Sequence, residues 1–256
     1  MEKIRVFLSD PQVLFREGMH FTLSAEEDLE VTGETTNNKE ALAYIEADPP
    51  NIVILNIKNG EMDGPTVTRR IKRNFPSVSV ILVADRDEEG LLLATVKCGA
   101  SAYLTKDSDP EYLLDLIRVI AQGSQPIIES LLMPAVASGV LKEFEALAPL
   151  GERLGNVLAH LSPREAEVLG SIAAGNNVEK IAASLNCNEE TIRKHLRSVM
   201  NKLVANDQTR AVIDAAQQGL PSIAAGVDSG AGYVTKKEFD DFKEALIKRF
   251  SSLISD

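Results

Sequence analysis

Short apolar runs alternate with helically spaced segments along the first 122 residues of the chain. The apolar runs are rich in β-branched residues, which is typical of buried parallel strands, and they cover residues 4–8, 29–32, 52–55, 78–83 and 102–105. Helical spacing follows each run, at residues 13–23, 39–47, 66–75, 91–97 and 112–120. Five strand–helix pairs in succession predict an α/β fold with a doubly wound, five-stranded parallel sheet. Ligands of such sheets bind at the carboxyl ends of the strands.

The pattern becomes helical after this first domain, 1–122. Residues 123–158 contain three prolines but also helically spaced apolar residues, so we expect a partly helical linker. Residues 159–218 predict an all-α domain of four helices. Residues 219–234 are rich in Gly, Ser and Ala and predict a flexible linker.

A C-terminal amphipathic helix is predicted over 235–256, where Thr235 and Glu238 have the spacing of a capping box. One apolar stripe runs along this helix, made of Phe239, Phe242, Leu246, Phe250 and Leu253. The stripe indicates that this helix packs against another apolar surface. Three interpretations stay open: the helix folds back on its own chain, binds a second copy or a partner protein, or lies on a membrane surface.

A helix-turn-helix is indicated inside the all-α domain. Residues 178–185 predict one helix, 186–188 the turn, and Asn188 the N-cap of the next helix. The second helix carries an inward apolar stripe of Ile192, Leu196, Val199 and Leu203. Its outward face presents Arg193, Lys194 and Arg197, an arrangement that suits a DNA-reading helix and also the solvated basic face of an ordinary helix.

Net charge, at −11, argues against nucleic-acid binding for the chain as a whole. The charge is uneven, however, because residues 1–122 carry 21 acidic and 13 basic side chains, whereas residues 191–203 carry four basic ones and no acidic one. A phosphate backbone responds to the local field, so the cationic helix is compatible with an acidic protein.

Residues 161–203 resemble the DNA-binding domain of the LuxR/NarL/FixJ transcription regulators. The resemblance rests on Pro163-Arg164-Glu165, Val168-Leu169, Gly175, Ile181-Ala182, Leu185, Thr191, His195-Leu196 and Lys202-Leu203, and it continues through Asp207, Thr209 and Ala211-Val212. It implies that Arg193, Lys194 and Arg197 face the major groove of double-stranded DNA. It further implies that Thr191, His195 and Lys202 contact phosphates, and that the fourth helix forms the contact of a homodimer.

The first domain is similar to a response-regulator receiver. The similarity rests on Arg16-Glu17-Gly18, on residues 51–64, on Gly99-Ala100 and on Tyr103-Leu104-Thr105-Lys106-Asp107. Receivers accept a phosphoryl group on an aspartate at the end of the third strand. They hold Mg²⁺ with that aspartate and an acidic pair after the first strand, and they sense the phosphate with a hydroxyl and a lysine.

The sequence departs from the receiver pattern at most of these positions. The resemblance places Asn56 at the phosphoacceptor position, Ser9 and Asp10 at the acidic pair, and Ala84 at the hydroxyl position, while Tyr103 and Lys106 are intact. Three carboxylates become one, and Mg²⁺ prefers carboxylate oxygens. We therefore expect a pseudo-receiver with a degenerate phosphorylation pocket that holds no metal. An ion pair between Lys106 and Asp10 is favoured there over a ligand role for Lys106.

These observations predict a DNA-binding transcription regulator that acts as a dimer, without aspartate phosphorylation. Two alternatives stay open: a regulator whose vacated pocket senses a small molecule or a partner protein, and an adaptor that binds proteins through its receiver or C-terminal helix. We expect no enzyme and no cofactor, because no nucleophile–base pair or metal cluster is evident and Cys98 and Cys187 stand far apart. The chain has neither a transmembrane-length apolar run nor the pattern of a signal peptide, so we expect a cytoplasmic protein.

Overall fold

A computed structural model describes residues 3–59, 62–88, 90–153 and 158–219 of the chain. The predicted linker beyond residue 219 and the predicted C-terminal helix lie outside the described residues. The strands form one parallel sheet in the order β2-β1-β3-β4-β5, which confirms the predicted fold class. They are β1 (Ile4–Ser9), β2 (Leu29–Thr35), β3 (Ile52–Asn56), β4 (Ser79–Ala84) and β5 (Ala102–Thr105).

Five helices cover the two faces of this sheet. They are α1 (Val13–Ser24), α2 (Asn38–Ala47), α3 (Gly64–Asn74), α4 (Leu91–Cys98) and α5 (Pro110–Ala121). Alternate strand residues point to opposite faces, so one core packs α1 and α5 against the sheet and the other packs α2 and α3. Helix α3 starts at Gly64, because the Asp63 carboxylate accepts a hydrogen bond from the Thr66 amide and caps the helix.

The predicted linker is largely helical in the structure. A 3₁₀ helix, Pro126–Leu132, is followed by α6 (Pro134–Arg153). Both elements bury apolar side chains, which include Ile127, Leu131 and Val140. The helical spacing of the apolar residues therefore predicted this segment correctly. Its prolines do not prevent helix formation, because two of them lie at the starts of the two helices, where proline is tolerated.

The DNA-binding region contains three helices within the described residues, α7 (Pro163–Ala173), α8 (Val178–Ser184) and α9 (Glu189–Gly219). Of the four helical pieces expected here, the third and the fourth form one continuous helix of 31 residues. The physical reason is local. No glycine or proline interrupts residues 189–218, so the sequence contains no helix breaker between the third and fourth expected helices.

Receiver and DNA-binding region share one hydrophobic core. This core joins Val96 of α4, the 3₁₀ helix and α6 to the buried faces of α7, α8 and α9. Close contacts tighten the junction: a Cβ atom built on Gly139 of α6 would meet Leu93 of α4 at 2.8 Å, and the Lys97 ammonium lies 2.6 Å from the Glu143 carboxylate. Helix α6 is therefore a structural part of the junction between the two regions.

Candidate nucleic-acid interface and receiver pocket

The turn of the helix-turn-helix is fixed by backbone geometry and capping. Asn186 adopts a left-handed conformation with φ of 50°, which asparagine tolerates better than most residues. The Asn188 side chain accepts hydrogen bonds from the amide and the hydroxyl of Thr191, at 2.8 and 2.7 Å, and so caps α9 as expected. Arg164 of α7 donates to the Leu185 carbonyl at 2.6 Å and ties the turn to the preceding helix.

The inward stripe of α9 is buried as predicted, with Ile192, Leu196, Val199 and Leu203 at most 1% exposed. A buried carboxylate fixes this helix to α7. Glu165 accepts hydrogen bonds from the Ser198 hydroxyl and the Lys202 ammonium, both at 2.7 Å. Burial alone would favour the neutral acid, but these hydrogen bonds and one from the Ser162 amide lower the pKa of Glu165 to about 2.

The structure gives the six predicted DNA contacts different surroundings. Arg197 and Lys194 are exposed, and Lys194 pairs with Glu190 on its own helix at 3.1 Å. Thr191 and His195 are half-buried. Lys202 points to Glu165 of α7, so a phosphate contact by Lys202 would have to compete with a buried ion pair.

Arg193 is paired with an acidic residue of the linker between the two domains. Its Nε lies 3.1 Å from the Glu129 carboxylate of the 3₁₀ helix, and a second guanidinium nitrogen lies 3.3 Å from Glu189. No acidic partner of Arg197 is found among the described residues. Of the three outward cations, Arg193 is thus occupied by an acid from another element, whereas Arg197 is available.

The side of α9 that carries two of the predicted DNA contacts also reaches the receiver. Spacings of four and seven place Arg193, Arg197 and Val204 on one side of the helix. Further along that side, Val204 packs on Gly99 at the end of α4, where an ideal Cβ would lie 3.1 Å from a Val204 methyl. Gly99 has φ of 82°, so glycine suits both its conformation and this contact.

An ion pair closes the same junction. The Arg69 guanidinium of α3 binds both oxygens of the Asp207 carboxylate on α9. Asp207 is 9% exposed at its side chain, so this pair is largely withdrawn from water. The side of α9 that carries Arg193 and Arg197 is thus in contact with the receiver further along the helix, at Val204.

The receiver pocket lies at the carboxyl ends of β1, β3 and β4, and it is filled by the protein's own charges. The Lys106 ammonium lies 2.8 Å from both Asp10 and Asp85. The Asn56 amide donates to the same two carboxylates, at 2.9 and 3.2 Å. The Phe15 ring lies 4.8 Å from the ammonium and adds a cation–π contact. The expected ion pair between Lys106 and Asp10 is present.

A neutral hydrogen-bond cluster occupies the other half of the pocket. The Ser9 hydroxyl donates to the Asn38 amide oxygen at 2.9 Å, and Asn59 donates to both of these residues at 3.3 Å. Asn38 in turn donates to the Asn56 carbonyl at 3.0 Å. Proteins usually bind Mg²⁺ through one or two carboxylates, with water at the other positions, whereas here the Asp10 carboxylate is engaged by Lys106 and Asn56. The residues do not fit the metal site of a phosphorylated receiver.

The two switch positions of the receiver, Ala84 and Tyr103, both contact the core between the sheet, α2 and α3. Ala84 is buried and offers no hydroxyl. The Tyr103 hydroxyl donates to Asp87 at 2.9 Å, and burial together with this hydrogen bond raises the pKa of the phenol. Tyr103 also packs against the core shared with the DNA-binding region.

Several contributing residues were not identified from the sequence. Asp85 directly follows Ala84 at a strand end, so its position gave a signal for the pocket. Glu129 and Asp207 gave none, because their partners stand 64 and 138 residues away in the chain. Glu165 belonged to the family motif, but the motif does not reveal its pairing with Lys202.

Together, the fold and the two sites define a receiver followed by a helix-turn-helix regulator of transcription. The sequence matches the family described as response regulator receiver domain over residues 6–118, and the bacterial regulatory proteins of the luxR family over residues 159–215. The chain belongs to the NarL/DegU-type response regulators, which combine these two domains.

Relatives of the whole chain carry matching descriptions. The chain is 30% identical to the probable transcriptional regulatory protein NarL of Mycobacterium tuberculosis over 219 residues, which cover 86% of this chain and 96% of that protein. It is 28% identical to the transcriptional regulatory protein DegU of Brevibacillus brevis over 228 residues, covering 85% and 94% of the two chains. The receiver domain of NarL from M. tuberculosis, a solved structure, is 30% identical and covers 48% of this chain and 99% of its own, with a TM-score of 0.47.

Neither a membrane-spanning helix nor a group of metal ligands is found among the described residues. No described helix has the length and apolarity needed to cross a membrane. No group of three or more His, Cys, Asp or Glu side chains in the described part of the chain is arranged to hold a metal ion.

Proposed function

We propose that this protein regulates transcription by binding double-stranded DNA as a homodimer, without phosphorylation of its receiver and without catalytic activity of its own. The observation that carries this proposal is the closed network of Lys106, Asp10, Asn56 and Asp85. In that network a lysine and an asparagine amide satisfy the carboxylates that would otherwise hold a metal ion. Because the proposed target is chromosomal DNA, we place the protein in the cytoplasm.

The chemistry of residue 56 supports this proposal. Phosphoryl transfer to a receiver needs a carboxylate nucleophile, and metal ions that neutralise the developing charge. Asn56 offers a neutral amide, and its nitrogen is already donating to two acids. Even with a phosphate-like anion beside Lys106, Ala84 supplies no hydroxyl to bind it.

A small-molecule sensor at the vacated pocket is a weaker candidate. The cavity beside Asn56, which extends to Ala84 and Leu91, has a volume of about 80 Å³, whereas ligand sites usually measure about 300–1,000 Å³. This space suits a few water molecules better than a metabolite. An adaptor without DNA binding is disfavoured by the exposed cations of α9.

The arrangement of the two regions supports a competition between DNA and the receiver. Arg193 must leave Glu129 before it can reach a base edge, and the receiver contacts the side of α9 that carries Arg197 two turns further along, at Val204. The segment after Val204, which corresponds to the dimer-forming helix of the family, contacts α3 through Asp207. Release of the receiver would thus free the DNA-reading side and the dimer contact together.

Genome-wide occupancy mapping tests whether the protein binds specific DNA. A duplex from an occupied site then serves in anisotropy titrations with and without acetyl phosphate and Mg²⁺, alongside intact-mass spectrometry of the protein. We expect specific binding, an unchanged affinity and no added phosphoryl group. A phosphoryl group mapped to the receiver pocket together with tighter DNA binding would contradict phosphorylation independence, and the absence of occupied sites would contradict the regulator itself.

A further inference from the structure

The surface formed by α1 and α5 is unusually apolar for an exposed face. Seven large apolar side chains are exposed among the described residues, and five of them lie on these two helices: Val13, Leu14, Phe21, Tyr112 and Val119. Leu14 is 89% exposed and Phe21 is 79% exposed. Apolar residues scattered singly need no explanation, but a cluster of this kind marks an interaction surface.

A groove runs through this surface. It has a volume of about 270 Å³ and is lined by residues of α1, by the ends of β4 and β5, and by the start of α5. Gly18 lies on this side of α1, and no other atom approaches within 4 Å of the position its Cβ would take. The missing side chain keeps the groove open beside Leu14, one turn before it, and Thr22, one turn after it.

The rim of the groove is acidic. Exposed acids stand next in the chain to its lining residues: Glu17 beside Gly18, Asp107 and Asp109 on either side of Ser108, and Glu111 after Pro110. The cations nearby are already engaged, since Lys106 pairs with Asp10 and Arg118 pairs with Glu26 and Asp28. An occupant of this groove should therefore combine an apolar stripe with flanking cations.

We infer that the occupant is the C-terminal segment of the same chain, residues 235–256. If this segment is helical, its stripe from Phe239 to Leu253 forms one apolar side. At about 100° per residue, Lys243 and Arg249 flank that side. Asp240, Asp241 and Glu244 fall on the opposite half together with Lys237 and Lys248, and Glu238 lies next to Arg249 at one edge of the stripe. The segment thus has the composition that the groove requires, in the helix-in-groove mode of recognition.

The connecting chain is long enough for this docking. Residues 220–234 span up to roughly 50 Å when extended, and a domain of 122 residues is about 35 Å across. The segment can therefore pass from the end of α9 around the receiver to α1. A tether of this kind gives an effective concentration in the millimolar range, which exceeds that of a second copy in dilute solution.

Hydrogen–deuterium exchange of the full-length protein tests this docking. We expect amides of residues 235–256 to exchange about tenfold more slowly in the wild type than in the Leu14→Glu variant, at every protein concentration. The reciprocal variant, Phe242→Glu with Phe250→Glu, should accelerate exchange at the exposed side of α1. Leu14 is exposed, so its replacement leaves the receiver core intact. Met133→Glu, at an exposed apolar residue outside the groove, is the control and should change neither segment.

Three outcomes would overturn the inference. Unprotected amides in 235–256 of the wild type would mean that the segment does not dock. Protection that survives Leu14→Glu would place the segment elsewhere. Protection that disappears on dilution, accompanied by a change of mass in sedimentation, would assign the groove to a second copy of the chain.

Discussion

Removal of the Arg69–Asp207 ion pair should raise the affinity of the protein for its DNA site. Arg69→Met keeps most of the aliphatic length of the side chain but leaves the Asp207 carboxylate without its partner. In the closed arrangement that carboxylate is 9% exposed, so an unpaired charge there is costly. Once α9 leaves the receiver, water can solvate the carboxylate, so the variant favours release.

The size of the effect follows from the geometry of this pair. The guanidinium makes two hydrogen bonds to the carboxylate, and a hydrogen bond to a charged partner contributes about 1.5–3 kcal/mol. If the closed form predominates in the free protein, part of the free energy of DNA binding is used to open it. Loss of the ion pair removes that cost and raises DNA affinity by roughly 10- to 150-fold. This range is an upper limit, because the apolar contact between Val204 and Gly99 survives the substitution.

Anisotropy titration of one specific duplex with wild type and variant measures the change. Arg70→Met is the matched control, because it removes the same charge from the same helix but breaks only the exposed pair with Glu46. Such pairs contribute about 0–1 kcal/mol, so the control should bind DNA as the wild type does. Equal affinity of Arg69→Met and Arg70→Met would refute the competition between receiver and DNA.

Three further predictions concern the DNA contact, the α7–α9 contact and the receiver pocket. Arg197→Ala should weaken binding to the specific duplex by roughly 5- to 150-fold, the equivalent of about 1–3 kcal/mol. It should leave the melting temperature unchanged, and an unaltered affinity would show that another helix reads DNA. Glu165→Gln should destabilise the protein at pH 7 by about 3 kcal/mol, because its folded-state pKa of about 2 lies below its ordinary value of 4.5. Since that contribution is lost as pH falls from about 4.5 towards 2, urea denaturation should show a smaller difference from wild type at pH 3 than at pH 7, and a difference that does not shrink would contradict the assignment. Asn56→Asp alone should not make DNA affinity respond to acetyl phosphate, because Ser9 and Ala84 still lack the required groups; a response of the single variant would show that one carboxylate suffices.

The elements of the receiver could be predicted because their signals are local. Each strand is a short buried run, and each helix has one apolar side, so periodicity alone located them to within a few residues. The ion pair between Lys106 and Asp10 followed from the same reasoning, since both residues come after parallel strands that end at one edge of the sheet. The continuity of α9 had a local signal as well, in the absence of any helix-breaking residue near Val204.

The contacts between the two regions could not be predicted in this way. Arg69 and Asp207 belong to different domains, and neither residue type nor spacing indicates that they meet. The pairing of Arg193 with Glu129 could not be predicted either, because the sequence does not distinguish an exposed acid on a short linker helix from any other solvated side chain. Such contacts depend on how the domains pack together, which a pattern of period 2 or 3.6 does not encode.

The uninterrupted helix α9 has a mechanical consequence. Its 31 residues make a rod of about 46 Å. Val204, which rests on the receiver, and Arg193, which is predicted to read DNA, are separated along this rod by about 16 Å without an intervening joint. A tilt of about 10° around the receiver contact would therefore move the Arg193 end by about 3 Å, the length of one hydrogen bond. If Arg193 reads DNA, this straight helix would carry a repacking at Gly99 directly to the DNA contact.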